Sequence, residues 1–359
     1  MQPRIVFVVM SAVSTPETVD QLARALAPHT VLVHHDFSQT PDFPLTADNV
    51  RFVPEPRRTG WAVFGLVEGI FHAMRHALET LDFDYLQLLS PSCLPIKPMA
   101  AFEARVLGPA QAHFDCVDLL ADHDALMSVG YRAFTPESSL RHRICRRITN
   151  HYYGDATGRR DEAGIWLRTG GGRGLLARPS EALIRALSRP AIGRHLFDGA
   201  FRPYYGTAWF GARRPVVEGM VGFFARPEIH RYFSRLRIAE EFLIPTVLMQ
   251  LVTDKGPMNH AIKTYNGARA GFFELQDLDA LRSSPAFFAR KFPDDVTAPV
   301  RLAVLGELAR TPAPVPSRAP LRPQAATART SSLPDGDDAA LLPGVAAFAA
   351  PGGAGAACP

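Results

Sequence analysis

Cysteine is scarce: the 359 residues hold four, at positions 93, 116, 145 and 358, with no Cys-x-x-Cys spacing. That excludes a disulfide-dense scaffold and a cysteine-rich zinc site; scattered thiols fit a reducing compartment. The histidines, 12 in number, form no His-Glu-x-x-His pattern, so a hydrolytic zinc site has no support. Long apolar runs are missing too. The N-terminal run Ile5–Met10 lacks a signal-peptide cleavage site, and no stretch approaches the ~18 apolar residues of a membrane span. A cytoplasmic chain is therefore expected, with peripheral contact at the inner membrane face left open. There is no Gly-x-Gly-x-x-Gly and no Walker A sequence: the loop after the first apolar run reads Ser11-Ala12-Val13-Ser14. This counts against a nicotinamide-dependent dehydrogenase and a P-loop nucleotidase. Nor is there a marked excess of one charge. A net +4 over this length is too weak to suggest a nucleic-acid partner, and none is expected.

What is present is ordinary for a globular protein, with 47% hydrophobic and 21% charged residues. The length fits roughly two domains, or one large domain and a tail. Proline favours the second division, because 9 of the 31 lie after residue 310. From Thr311 the chain is mostly Ala, Pro, Gly and Ser, which cannot bury enough surface to offset the entropy of ordering. One domain over residues 1–308 and a disordered tail over 309–359 are expected.

The run Ile5–Met10 suits a buried first strand. Thr15 and Pro16 then offer a cap and a first-turn proline for a helix to about Ala27. Strands are expected at Val31–Asp36, Arg51–Val53 and Asp84–Ser90, and helices over Trp61–Leu81 and from Pro98 to about Val106. This alternation indicates a doubly wound α/β sheet, in which ligands bind beyond the carboxyl ends of the strands. Those ends read His34-His35-Asp36 and Ser90-Pro91-Ser92-Cys93. The segment 120–200 reads as polar and irregular. Its basic stretch Arg141–Arg147 suits a solvated face, or contact with anionic lipid or an acidic glycan; its glycine run Gly170–Gly174 suits a loop. Order resumes over Tyr204–Leu308, with a helix through Val221 and another carrying Glu240-Glu241-Phe242.

Six segments, in this order, resemble one family: Val33-His34-His35-Asp36, the Trp61 helix, Asp84-Tyr85-Leu86-Gln87-Leu88-Leu89-Ser90 with Pro95, Tyr205-Gly206-Thr207-Ala208-Trp209-Phe210, Ala239-Glu240-Glu241-Phe242, and Phe288-Ala289-Arg290-Lys291-Phe292. It is the core-2/I-branching β-1,6-N-acetylglucosaminyltransferase and peptide O-xylosyltransferase family, glycosyltransferase family 14. The resemblance spans residues 4–296, and the closing Ala-Arg-Lys-Phe element is its most distinctive part. It implies a GT-A-like, Rossmann-like fold, with a nucleotide-sugar half over 1–120 and an acceptor half over 200–300. It further implies an inverting transfer of GlcNAc or xylose from a UDP-sugar to a hydroxyl of a glycan, lipid-linked glycan or protein, as in surface polysaccharide assembly. No divalent metal is implied. The sequence agrees, because the strand end after Leu89 carries no Asp-x-Asp; Asp82-Phe83-Asp84 has that spacing but precedes the strand.

Roles follow from position in the family motifs. Glu241 stands where the general base stands, with Glu240 beside it for substrate contact; a pair of acids favouring a helix N-terminus is the alternative. Lys291 matches the lysine that balances the charge of departing UDP, with Arg269 or Arg290 as its partner. Asp36 and His35 could meet the uridine or cap their strand. Ser90 could touch the donor. Trp209, with Tyr205, could offer a flat face to a sugar or belong to the core. A non-catalytic nucleotide-sugar- or glycan-binding protein of the same fold is the competing function.

Overall fold

The computed structural model describes residues 2–154, 158–160, 165–169, 177–188, 196–197, 201–263, 265–266 and 269–310. The described part belongs to one unit, Met1–Ala313. The expected tail and the glycine run at 170–174 lie outside the described residues.

The strands that matter here are β1 (Ile5–Ser11), β2 (Thr30–His35), β3 (Val50–Phe52), β4 (Tyr85–Leu89), β5 (Leu94–Pro95), β6 (Ala112–His113), β7 (Cys116–Asp118), β8 (Tyr204–Gly206), β9 (Gly211–Arg213), β10 (Lys255–Gly256), β11 (His260–Ile262) and β12 (Phe288–Arg290). The helices that matter here are α1 (Pro16–Ala25), α2 (Gly65–Thr80), α3 (Met99–Val106), α4 (Tyr131–Phe134), α5 (Leu140–Tyr153), α6 (Arg214–Phe224) and α7 (Glu240–Leu251). The central sheet runs β10-β6-β9-β4-β1-β2-β3. β1 pairs in parallel with β2 and β4, while β9 lies antiparallel to β4 and β6. The fold is thus mixed α/β around a sheet whose centre is parallel.

β1 shows why the sheet must be covered on both faces. Val6, Val8 and Met10 join a core with α2 and α6 residues such as Val67, Ile70 and Met220. Ile5, Phe7 and Val9 join a second core with Val19 and Leu22 of α1, Phe102 of α3 and Phe288 of β12. A strand with apolar side chains in every position can only be buried twice. Helix α1 starts where expected: the Thr15 side chain accepts from the Thr18 amide at 3.3 Å, and Pro16 occupies the first turn.

Two expectations need correcting. The Trp61 helix begins only at Gly65, because Ala62 adopts a φ of 62°, outside the right-handed helical region; Trp61 is left 76% exposed. The segment read as irregular contains α5, whose buried face is His142, Cys145, Thr149 and Tyr153. Polar residues occupy that inward stripe, so hydrophobic periodicity could not reveal it.

Candidate active site

The parallel strands end together at one edge of the sheet, where Asp36 follows β2 and its amide donates to the Ser11 carbonyl at 3.0 Å. Asp36 is spent on the fold. Its carboxylate accepts from Ser38 N (3.0 Å) and Oγ (2.6 Å), Gln39 Nε2 (2.8 Å), and Thr59 N (2.6 Å) and Oγ1 (3.3 Å). Burial works against its charge, yet these bonds outweigh it and hold the carboxyl well below the usual range. His35 is equally engaged: Nδ1 meets Ser11 Oγ at 3.1 Å, Nε2 meets the Thr40 carbonyl at 2.8 Å, and the ring stacks on Phe43 at 3.8 Å. Both residues thus cap the end of their strand. Ser90 lies buried after β4, its Oγ 3.0 Å from Ser92 Oγ and 3.3 Å from Cys93 Sγ. Asp82 and Asp84 both pair with Arg4, the latter at 2.7 Å, away from this edge.

A basic group is carried to the same edge by sheet pairing. β12 pairs with β5, which follows the Ser90–Cys93 turn, and the Phe292 amide donates to the Ser92 carbonyl at 2.9 Å. Arg290 and Lys291 therefore stand beside that turn. The Arg290 guanidinium lies 4.3 Å from the Trp209 ring centre, and Lys291 Nζ lies 4.7 Å from the Phe272 ring. Trp209 arrives from the opposite strand: the Phe210 carbonyl accepts from Leu88 N at 2.9 Å, which sets Trp209 at the carboxyl edge of β4. It is half-buried, and Arg290 covers one face of its ring. The side chain of Arg269 lies outside the described residues.

The carboxylates sit at the first turn of α7. Glu241 Oε2 is 3.1 Å from Arg132 Nη2 of α4, and the same guanidinium lies 5.1 Å over the Phe242 ring. Burial raises the pKa of Glu241; the Arg132 charge and hydrogen bonds from Arg132 and Tyr205 oppose the rise. The Glu241 side chain keeps 27% exposure, so it is shielded but reachable. Glu240 is buried, with no hydrogen-bond partner for Oε2 among the described residues, and burial beside Glu241 pushes its pKa up to about 7. Neighbouring helical residues point about 100° apart, so the two carboxyls do not share one target.

One loop joins the two groups. Tyr205 packs on Phe242 at 5.3 Å and bonds Glu241; four residues later, Trp209 carries Arg290. Gly206 in β8 is required here, since a Cβ would collide with the Asp115 carbonyl and sit 3.3 Å from Pro245 of α7. Thr207 Oγ1 reaches Met258 Sδ at 3.1 Å.

Three participants escaped the sequence reading. Arg132 had no motif to mark it. His260 lies buried between Trp209 (5.8 Å) and Phe288 (5.7 Å), with neither ring nitrogen hydrogen-bonded among the described residues. Burial and the Arg290 charge push its pKa down to about 3, so it is neutral. Asn259 bridges Tyr85 Oη (3.1 Å) and Gln87 Oε1 (2.9 Å) beneath it. Among the described residues no group of three or more His, Cys, Asp and Glu has metal-holding geometry.

The chain is similar to a galactosyltransferase, LgtC, solved in complex with donor and acceptor sugar analogues. Identity is 9%, the match covers 86% of this chain and 97% of that one, and the TM-score is 0.39. A second similar structure is CMP:2-keto-3-deoxy-manno-octonic acid synthetase complexed with CTP, at 10% identity, 71% and 90% coverage and a TM-score of 0.30. Overlap this loose says nothing of activity. No protein-family model matches the chain, and no curated protein matches it.

Proposed function

We propose that this chain is a glycosyltransferase of the core-2/I-branching kind, moving GlcNAc or xylose from a UDP-sugar to an acceptor hydroxyl with inversion and without a divalent metal. The observation that carries the reading is one short loop that touches the shielded carboxylate of Glu241 through Tyr205 and the guanidinium of Arg290 through Trp209. Glu241 takes the proton of the acceptor hydroxyl; the acceptor oxygen attacks the anomeric carbon from the side opposite UDP, and the bond to the diphosphate breaks. UDP departs with added negative charge, and Lys291, with Arg290 as the described partner, offsets it. The Arg132 charge opposes the burial that disfavours ionised Glu241, and its contact at 3.1 Å orients the carboxylate. Trp209, half-buried, meets a pyranose, and Glu240 lends hydrogen bonding on the acceptor side. Donor contact by Asp36 and His35 has no place in this reading, because their polar atoms are already taken.

The test is the conservative variant Glu241→Gln, assayed for hydrolysis of UDP-GlcNAc and UDP-xylose and titrated with UDP by calorimetry. Turnover should fall by about a hundredfold or more, with UDP affinity kept. Undiminished turnover would reject Glu241 as the base. The ion pair to Arg132 favours one second reading, a nucleotide-sugar-binding protein without catalysis, since it occupies the carboxylate. Binding of UDP-sugar by the unaltered chain with no hydrolysis and no transfer would select it.

A further inference from the structure

Helix α5 presents an outward face that the site does not use. The inward stripe is His142, Cys145, Thr149 and Tyr153. On the opposite side stand Leu140, 62% exposed, and Ile144, 36% exposed, one turn apart. Arg141, Arg143, Arg146 and Arg147 surround them, all exposed, and none forms an ion pair among the described residues. The helix contains no acidic residue. A shallow groove of about 400 Å³ runs along this face, lined by Leu140, Arg143, Ile144, Arg146, Arg147 and Asn150. An exposed tryptophan is linked to the segment just before the helix start through a charged pair. Arg237 bonds Glu137 at 2.7 Å and lies 5.0 Å over the ring of exposed Trp61.

A merely solvated helix mixes both charge signs and gains from acid–base pairs one turn apart. This one does neither, and it keeps aliphatic side chains in water. Cations ringing a small apolar stripe, with a tryptophan nearby, match a surface that is anionic outside and apolar just beneath. We propose that the outward face of α5, with Trp61, docks the protein on anionic phospholipid. The arginines meet headgroup phosphates while Leu140 and Ile144 enter the acyl boundary. The proposal is independent of the catalytic reading, since none of these side chains belongs to the site.

The experiment is co-sedimentation of the full chain with vesicles of phosphatidylcholine alone and of phosphatidylcholine mixed with phosphatidylglycerol. Binding should need the anionic lipid and weaken with salt. Arg143→Gln with Arg147→Gln should lower the partition coefficient about thirtyfold. Leu140→Ser with Ile144→Ser should also weaken binding while leaving its salt sensitivity. No binding to either vesicle, equal binding to both, or binding unaltered in both double variants overturns the proposal. So does anionic-vesicle binding that heparin displaces and the Leu140/Ile144 variant leaves intact, which would assign the face to a soluble polyanion. All four substituted side chains are exposed, so the fold should survive both variants.

Discussion

At the scale of single residues, the two glutamates of α7 divide their burdens unequally. Glu241 pairs with Arg132, which opposes its desolvation, whereas Glu240 Oε2 has no hydrogen-bond partner among the described residues and feels the Arg132 charge only as a minor effect. A carboxyl whose folded pKa is pushed up from 4.5 to about 7 binds its proton more tightly in the folded state. Its contribution to stability is complete below pH 4.5 and is lost as pH rises through 7. The loss amounts to roughly 3 kcal/mol. Glu240→Gln should therefore raise the melting temperature at pH 8 and change it little at pH 4; an equal shift at both would contradict a buried, proton-binding Glu240. Legibility at this scale was uneven. Motif position singled out Glu241, which bonds Tyr205, and Arg290, which lies over Trp209, together with the neighbouring Lys291. It also singled out Asp36 and His35, whose polar atoms close onto Ser11, Ser38, Gln39, Thr40 and Thr59. Hydrogen bonds to neighbouring loops are not written in a residue's type, and neither is the approach of Arg132 from 109 positions away.

At the scale of elements, the clearest strands were those made mostly of apolar residues. β1, β2 and β4 could be read because a doubly covered strand is largely apolar on both faces. The short antiparallel β9 was missed for the opposite reason: Gly211-Ala212-Arg213 carries no pattern. Its place depends on a missing side chain. A Cβ on Gly211 would meet Tyr85 Oη and sit 2.5 Å from Gln87 Oε1. Those atoms belong to the buried network with Asn259 and with His113, whose Nδ1 is 2.8 Å from Tyr85 Oη. Gly211→Ala should cost about 1–3 kcal/mol in urea unfolding. A change within about 0.5 kcal/mol would show that the network yields freely.

At the scale of the whole molecule, the small net charge conceals its placement. The turn after β4 brings serines, Arg290 and Lys291 together, where an acidic pair would suit a cation. Donor hydrolysis should accordingly persist in excess EDTA; loss of activity restored by manganese would reverse this reading. No helix among the described residues is long and apolar enough to cross a membrane. The pairing of β12 with β5 also has a temporal side. Synthesis runs from the N-terminus, and domains gather structure as they emerge. β1, β2 and β4 leave the ribosome early, whereas their cationic neighbours follow almost two hundred residues after the turn they adjoin. A nascent chain ending before Phe288 carries both glutamates but lacks Arg290 and Lys291, so, under the function proposed above, the cations meant for a charged donor are among the last parts translation supplies.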